Sequence, residues 1–227
     1  MISIITCTIR QENINLVFEN YDRQILKEKE LIIILNRDEM DINKWQEKAK
    51  QYKNVSVYKL PSGVHLGECL NFGIERSRYD YIAKFDDDDY YAPYYLKEAL
   101  GALKETNADI VGKHAFFAYI ERTKSLVIRF KGQNKFVGAV AGPTLVFKKN
   151  ITKHIKFRNI TLGEDQQFQK DCRKKGFKIY ATSHYNFVLI RKDIQGHTWK
   201  IDESEFLKQS KVVTRTDNYQ NFVSKDI

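Results

Sequence analysis

Along the first 112 residues, short apolar runs alternate with longer stretches in which apolar positions recur every three or four residues. Ile2 to Thr6, Leu31 to Leu35, Val55 to Tyr58 and Tyr81 to Phe85 have the length and composition of buried strands. Between them the spacing predicts helices over 12–26, from Asp41 onward and over 66–77. Asp41 reads as an N-cap for a helix with Ile42, Trp45, Ala49 and Tyr52 on one face, and Leu66, Leu70 and Ile74 step by four in the next. Strands alternating with helices of this length predict βαβ units and a mostly parallel sheet. In such sheets ligands bind beyond the carboxyl ends of the strands, and four aspartates, Asp86 to Asp89, follow the fourth strand at that place.

The pattern then changes. After a helix over 94–105, short strands dominate to Phe147, followed by a helix over 164–175 and strands at 177–181 and 186–190. No internal repeat, low-complexity stretch or linker interrupts the chain, so its 227 residues read as one α/β domain.

Composition narrows the class. Hydrophobic residues at 42% and aromatics at 13% exclude a disordered chain, and 3 Pro with 11 Gly exclude a collagenous one. The Leu31–Leu35 run is far too short to span a bilayer, and Ile2–Ile5 lacks the flanks of a signal peptide. Cys7, Cys69 and Cys172 are scattered with no CxxC, which suits buried thiols in a reducing cytosol. Of the net charge of +9, the segment from Lys113 to Arg158 carries more than all, with eleven basic residues against Glu121. That segment predicts either a solvated basic face or a field for an anionic partner, with Lys148, Lys149 and Lys153 as its probes. Nucleic acid is not expected, because no zinc-finger spacing, RNP-type motif or basic helix is present.

Three constellations carry candidate chemistry. Adjacent carboxylates repel one another, and one Asp would suffice to cap the helix after Pro93, so Asp86–Asp89 point to a hard divalent cation completed by substrate phosphates. Glu164 and Asp165 open a helix, where the macrodipole alone favours acids, or else supply a general base for an acceptor hydroxyl. His197, between Gly196 and Trp199 in a polar stretch, is either structural or a metal or diphosphate contact. A nucleotidyltransferase would want a Gly-rich phosphate loop, and 6–12 contains no Gly. A haloacid-dehalogenase-type phosphatase would want Thr or Val two residues beyond its Asp-x-Asp after the first strand. A non-catalytic protein that binds nucleotide or glycan is the alternative that remains.

Taken together, Thr6-Cys-Thr8, Asn36-Arg-Asp38, Asn71-Phe-Gly73, Tyr81-Ile-Ala-x-x-Asp-x-Asp-Asp89, Glu164-Asp165 and His197-Thr-Trp199 resemble family 2 glycosyltransferases of the GT-A fold. The resemblance implies a single Rossmann-like GT-A domain over 1–227, with a central, mostly parallel mixed sheet flanked by helices. Its nucleotide-binding half would be 1–112, its acceptor-side half 113–200, and 201–227 a C-terminal tail. It implies an inverting, Mn²⁺- or Mg²⁺-dependent transfer from a nucleoside-diphosphate sugar, UDP-linked, to a glycan or otherwise anionic acceptor. The setting implied is polysaccharide biosynthesis for the cell envelope or spore coat, in the cytoplasm, with at most peripheral contact at the inner face of the membrane. By the same resemblance Asp86 and Asp88 form the DXD motif, with Asp88 the main metal ligand and Asp86 near the ribose or the metal. His197 would reach the metal or the diphosphate, and Asp89 and Trp199 the sugar or acceptor. Thr6, Thr8, Glu12 and Asn36 would line the nucleotide pocket, while Asp165 is the base and Glu164 orients its substrates. Asn36 stands where the family usually has an acid, and Leu70 where it often has Arg.

Overall fold

The computed structural model describes residues 1–192 and 203–227. The first half runs β1 (Ile2–Thr8), α1 (Ile14–Arg23), β2 (Lys29–Leu35), α2 (Ile42–Ala49), β3 (Val55–Lys59), α3 (Leu66–Arg76), β4 (Tyr81–Lys84), β5 (Tyr90–Tyr91), α4 (Tyr95–Glu105) and β6 (Ile110–Gly112). The second runs β7 (Phe116–Ile120), β8 (Ser125–Arg129), β9 (Lys135–Phe136), β10 (Val146–Lys148), α5 (Glu164–Lys174), β11 (Ile179–Ala181), β12 (Phe187–Arg191), α6 (Glu203–Leu207), β13 (Ser210–Arg215) and α7 (Gln220–Val223).

Eight strands form the main sheet in the order β3-β2-β1-β4-β10-β6-β11-β9. β10 and β9 run antiparallel to their neighbours and the rest are parallel, as the alternation of strand and helix predicts. Period-two alternation divides its apolar side chains between two layers. Ile2, Ile4, Leu31, Ile33, Ala83 and Phe85 pack under Phe18 of α1, Trp45 of α2 and Leu96 of α4. Ile5, Ile32, Ile34 and Ile82 pack under Leu70 and Ile74 of α3 and Phe168 of α5. Gly73 lets α3 lie that close, since a Cβ there would stand 2.7 Å from the Ile5 side chain. Asn71, two residues earlier, exchanges hydrogen bonds with the backbone of Phe157, so the Asn-x-Gly element has a packing role.

Asp41 caps α2 as its position predicts, accepting from the N–H groups of Asn43 at 3.0 Å and Lys44 at 3.4 Å. The first helix is shorter than its pattern. It ends at Arg23 because Gln24 turns inward, donating to the carbonyls of Tyr91 and Ala92 and accepting from the N–H of Leu96.

The second sheet, β13-β8-β7-β12-β5, has one strand drawn from the first half of the chain. The division at residue 112 therefore does not follow the sheets, since β9, β10 and β11 complete the larger one. Residues 203–227 are no loose tail. β13 pairs with β8, and Phe206 and Val223 are fully buried. No helix among the described residues is long and apolar enough to cross a membrane.

Candidate active site

The residues with chemical potential gather at the carboxyl ends of β1, β2 and β4, facing the start of α5. The four aspartates are not equivalent. Asp87 turns inward, accepting a short hydrogen bond from the Thr8 hydroxyl and pairing with Arg10 Nη1 at 2.6 Å. Asp89 is only 4% exposed and accepts from the Ile190 N–H at 2.9 Å, which ties the aspartate turn to β12. Asp86 and Asp88 alternate with these and stay partly open, Asp86 bound to Lys84 Nζ and Asp88 3.2 Å from Arg10 Nη1. Adjacency thus has a structural role, as two of the four carboxylates are anchors.

Crowding has an electrostatic price. Burial, and then the charge of Asp88, push the Asp87 carboxyl up to about 6 against the pull of Arg10. Burial and Asp86 raise Asp88 from its ordinary value, and burial with Asp88 raises Asp89 further.

The second acidic pair lies at the first turn of α5. Glu164 is buried, and desolvation lifts its carboxyl to about 7 although Lys84 pulls it down. Asp165 is half-buried, with Oδ1 accepting from the Gln166 N–H at 2.7 Å. Its other oxygen presses on Gly142, where a Cβ would fall 1.6 Å from Oδ2. The 3-10 turn Gly142–Thr144 is held to the aspartates in turn. Tyr91 accepts from the Asp86 N–H at 2.8 Å and donates to the Pro143 carbonyl at 2.7 Å.

The remaining sequence candidates separate. Thr8 belongs to the cluster, and its carbonyl accepts from the Asn36 N–H at 2.9 Å. The Asn36 amide donates to the Pro61 carbonyl at 2.7 Å, so Asn36 stands just past the end of β2, beside the end of β1. Thr6 is 2% exposed inside β1, one position beyond the Ile5–Lys84 pair, and Glu12 is exposed in the turn before α1. Asp89 is buried and its Oδ1 is engaged by the Ile190 N–H. His197 and Trp199 lie outside the described residues. Among the described residues no group of three or more acids, histidines or cysteines converges as a ready cation site.

The basic segment is also redistributed. Lys113 is buried against Glu98 at 2.7 Å, and Arg129 is buried against Phe206. β10 runs antiparallel to β4, which puts Lys148 opposite Tyr81, while the Lys149 N–H donates to the Asp80 carbonyl at 2.7 Å. Lys148 and Lys149 therefore sit at the entry end of β4, away from the aspartates at its exit, and Lys153 lies just beyond them. That strand direction keeps these three lysines apart from the aspartate turn.

Sequence reasoning missed Arg10, Lys84, Tyr91 and Gly142. Only Lys84 left a local signal, as a charge on the face of β4 where its period-two neighbour Ile82 is apolar.

A family profile described as Glycosyl transferase family 2 matches residues 3–194. The O-antigen biosynthesis glycosyltransferase WbnJ of Escherichia coli is 27% identical over 160 residues, which cover 66% of this chain and 63% of WbnJ. Among solved structures, S. aureus TarS 1–349 in complex with UDP-GlcNAc superposes with a TM-score of 0.65 at 16% identity, over 91% of this chain and 63% of that one. The mannosyltransferase PcManGT from Pyrobaculum calidifontis, in complex with GDP-Man and Mn²⁺, gives 0.66 at 13%, over 92% and 62%. The chain thus spans somewhat less than two thirds of each of these proteins, and the structural matches show a shared GT-A fold.

Proposed function

The chain belongs to glycosyl transferase family 2, and on that premise we propose that it transfers a sugar from a nucleoside-diphosphate sugar, UDP-linked in this reading, to a hydroxyl of a surface glycan. The observation that carries the reading is the meeting of the Asp86–Asp89 turn and the Glu164–Asp165 pair at one end of the sheet, with the charge of Lys84 stabilised by Asp86, Glu164 and Asp165. The nucleotide complexes of TarS and PcManGT support a donor of this class.

In this reading Thr8, Asn36 and Asp86 border the nucleotide. Asp165 accepts the proton of the acceptor hydroxyl as its oxygen bonds to the anomeric carbon. Attack comes from the face opposite the diphosphate, the old carbon–oxygen bond breaks, and the configuration inverts. Glu164, buried behind Asp165, orients the substrates. The acceptor need not be anionic, since Lys148, Lys149 and Lys153 lie at the other end of β4.

Asp86 and Asp88 fit a divalent cation by the chemistry of the donor set. They are hard oxygen donors on the open side of the turn, and Mg²⁺ or Mn²⁺ is held by one or two carboxylates plus substrate phosphates. His197 is a third candidate ligand. Such an ion, when bound, supplies positive charge that offsets the charge of the departing diphosphate.

The test is thermal stabilisation by a panel of nucleoside diphosphates with and without Mn²⁺, on the wild-type chain and on Asp88→Ala. Ligand at 100 times its dissociation constant adds about 2.7 kcal/mol. One diphosphate should stabilise the wild type, more with Mn²⁺, and Asp88→Ala should remove the effect of Mn²⁺. Asp165→Asn should abolish transfer and keep nucleotide binding. If no diphosphate stabilises the wild type at millimolar concentration, the chain is not this enzyme, and a non-catalytic role takes its place.

A further inference from the structure

β3 ends the main sheet. Among the described residues its one partner is β2, which runs parallel to it from Leu31 opposite Val55 to Leu35 opposite Lys59. The Asn54 carbonyl accepts from the Leu31 N–H, and the Leu60 N–H donates to the Leu35 carbonyl, both at 2.9 Å. Successive residues of a strand turn their backbone groups to opposite edges, so Ser56 and Tyr58 also face β2. The N–H and C=O groups of Val55, Val57 and Lys59 face outward.

Such a row is a template for another strand unless the chain blunts it with Pro, a bulge or an exposed charge. Val55-Ser-Val-Tyr-Lys59 holds no Pro, and its register with β2 runs without a bulge. Lys59 is the one charge on the strand, and it folds back, its Nζ donating to the carbonyls of Asp38 at 2.7 Å and Met40 at 2.8 Å. A groove of about 690 Å³ lies along the edge, lined by Tyr52, Val55, Val57 and Tyr58 and by Arg76 and Arg78.

Charge distinguishes the two ends of this edge. At the entry end of β3, Lys50, Lys53, Arg76 and Arg78 outnumber Glu30 and Glu47. At the exit end, Asp38, Glu39 and Asp41 outnumber Arg37 and Lys59. A two-fold axis through Val57, normal to the sheet, sets a second copy of β3 antiparallel to the first. The basic end of each chain then meets the acidic end of the other.

We propose that this edge is the interface of a homodimer, in which β3 of two copies pairs antiparallel about Val57 and joins the two main sheets into one. Val57 faces Val57 of the partner subunit and Val55 faces the partner's Lys59, each pair exchanging both N–H···O=C bonds. The contact extends to the turn after β3, where the Pro61 carbonyl holds the Asn36 amide, so the second copy stands beside that part of the site. One short strand with its flanking side chains makes a small interface, so the dimer is of micromolar strength.

Sedimentation velocity of the full chain from about 1 to about 200 µM, the range in which so small an interface dissociates, should show monomer giving way to dimer. Val57→Pro removes an outward N–H and none that β2 uses, a place where an edge strand tolerates proline. It should stay monomeric across the range, with a melting temperature close to that of the wild type. Hydrogen exchange at Val55, Val57 and Lys59 should slow as the wild type is concentrated, while Ser56 and Tyr58 are protected at every concentration. Glu39→Lys should weaken the dimer about fivefold, and adding Lys53→Glu should restore it. A wild type that stays monomeric to about 200 µM overturns the proposal and leaves the edge to a strand of another protein. A dimer that Val57→Pro leaves intact overturns it as well. Should Val57→Pro not fold, the exposed Glu39 and Lys53 decide. A dimer of wild-type strength in both Glu39→Lys and Lys53→Glu refutes the antiparallel pairing, and one weakened in each but restored in the double variant supports it.

Discussion

Gly142→Ala separates the position of Asp165 from its presence. The added methyl would lie 1.6 Å from Oδ2, 2.6 Å from Cγ and 3.1 Å from Cβ of Asp165, where real Cβ contacts essentially never come under 3.0 Å. The atoms in the way are the free end of a two-torsion side chain, so the carboxylate swings aside by more than an ångström and the backbone keeps its course. A rotamer displaced in this way costs about 0.5–1.5 kcal/mol, and replacing Gly by Ala at a compatible backbone position returns about 0.4–1 kcal/mol. Net stability should therefore change by less than about 1 kcal/mol. A reacting group moved this far loses about 100-fold or more in rate. Urea denaturation should give near wild-type stability, UDP titration near wild-type affinity, and sugar-transfer assays a kcat down by about 100-fold. A Gly142→Ala chain that transfers sugar at the wild-type rate would refute the argument, since Asp165 could not then be working from where it lies.

Two further outcomes follow from buried charge. Lys113→Met should cost about 3–5 kcal/mol in urea denaturation, because Glu98 stays buried with its ion pair to Lys113 broken, held only by Ser183 and Asn186, and a loss under about 1 kcal/mol would contradict the pairing. Asp87 and Glu164, with carboxyls at about 6 and about 7 against ordinary values of 3.8 and 4.5, hold protons more tightly folded than unfolded. Their contribution to stability is whole below pH 4 and is lost as the pH rises through 6 and 7, by on the order of 3 kcal/mol for Glu164. Without nucleotide or metal, the chain should melt higher at pH 5 than at pH 8, and Glu164→Gln should flatten that slope. A melting temperature level across this range in the wild type would count against both carboxyl shifts.

The parallel half of the fold was legible because its information is local. Aliphatic runs such as Leu31–Leu35 can only be buried strands, and Asp41 announces a helix start by its side-chain chemistry. The second sheet was not legible, because Tyr90–Tyr91 is too short to carry a period and becomes a strand only against Phe187 and Val188. The charge of 113–158 left two readings open for a related reason. A linear count does not know that β10 reverses direction and carries Lys148 and Lys149 to the far end of the sheet, nor that Lys113 and Arg129 are interior. In the site, the aspartates and the Glu164–Asp165 pair were visible as residue types. Which aspartates face outward was not, because Thr8, Arg10 and Ile190 decide it across long stretches of chain.

The tie between Asp89 and Ile190 also bears on when the site comes into being. The aspartate turn is closed by an N–H 101 residues further along, and Ala92, just after it, is closed by the carbonyl of Asn186, whose own N–H reaches Val223. Such contacts form late, after the largest loops have closed. A nascent chain that has laid down β1 to β4 on the ribosome therefore owns a sheet but no ordered aspartate turn. On the proposed reading, donor binding therefore needs the tie from Asp89 to Ile190, and a folding intermediate with only its parallel half formed would hold no donor.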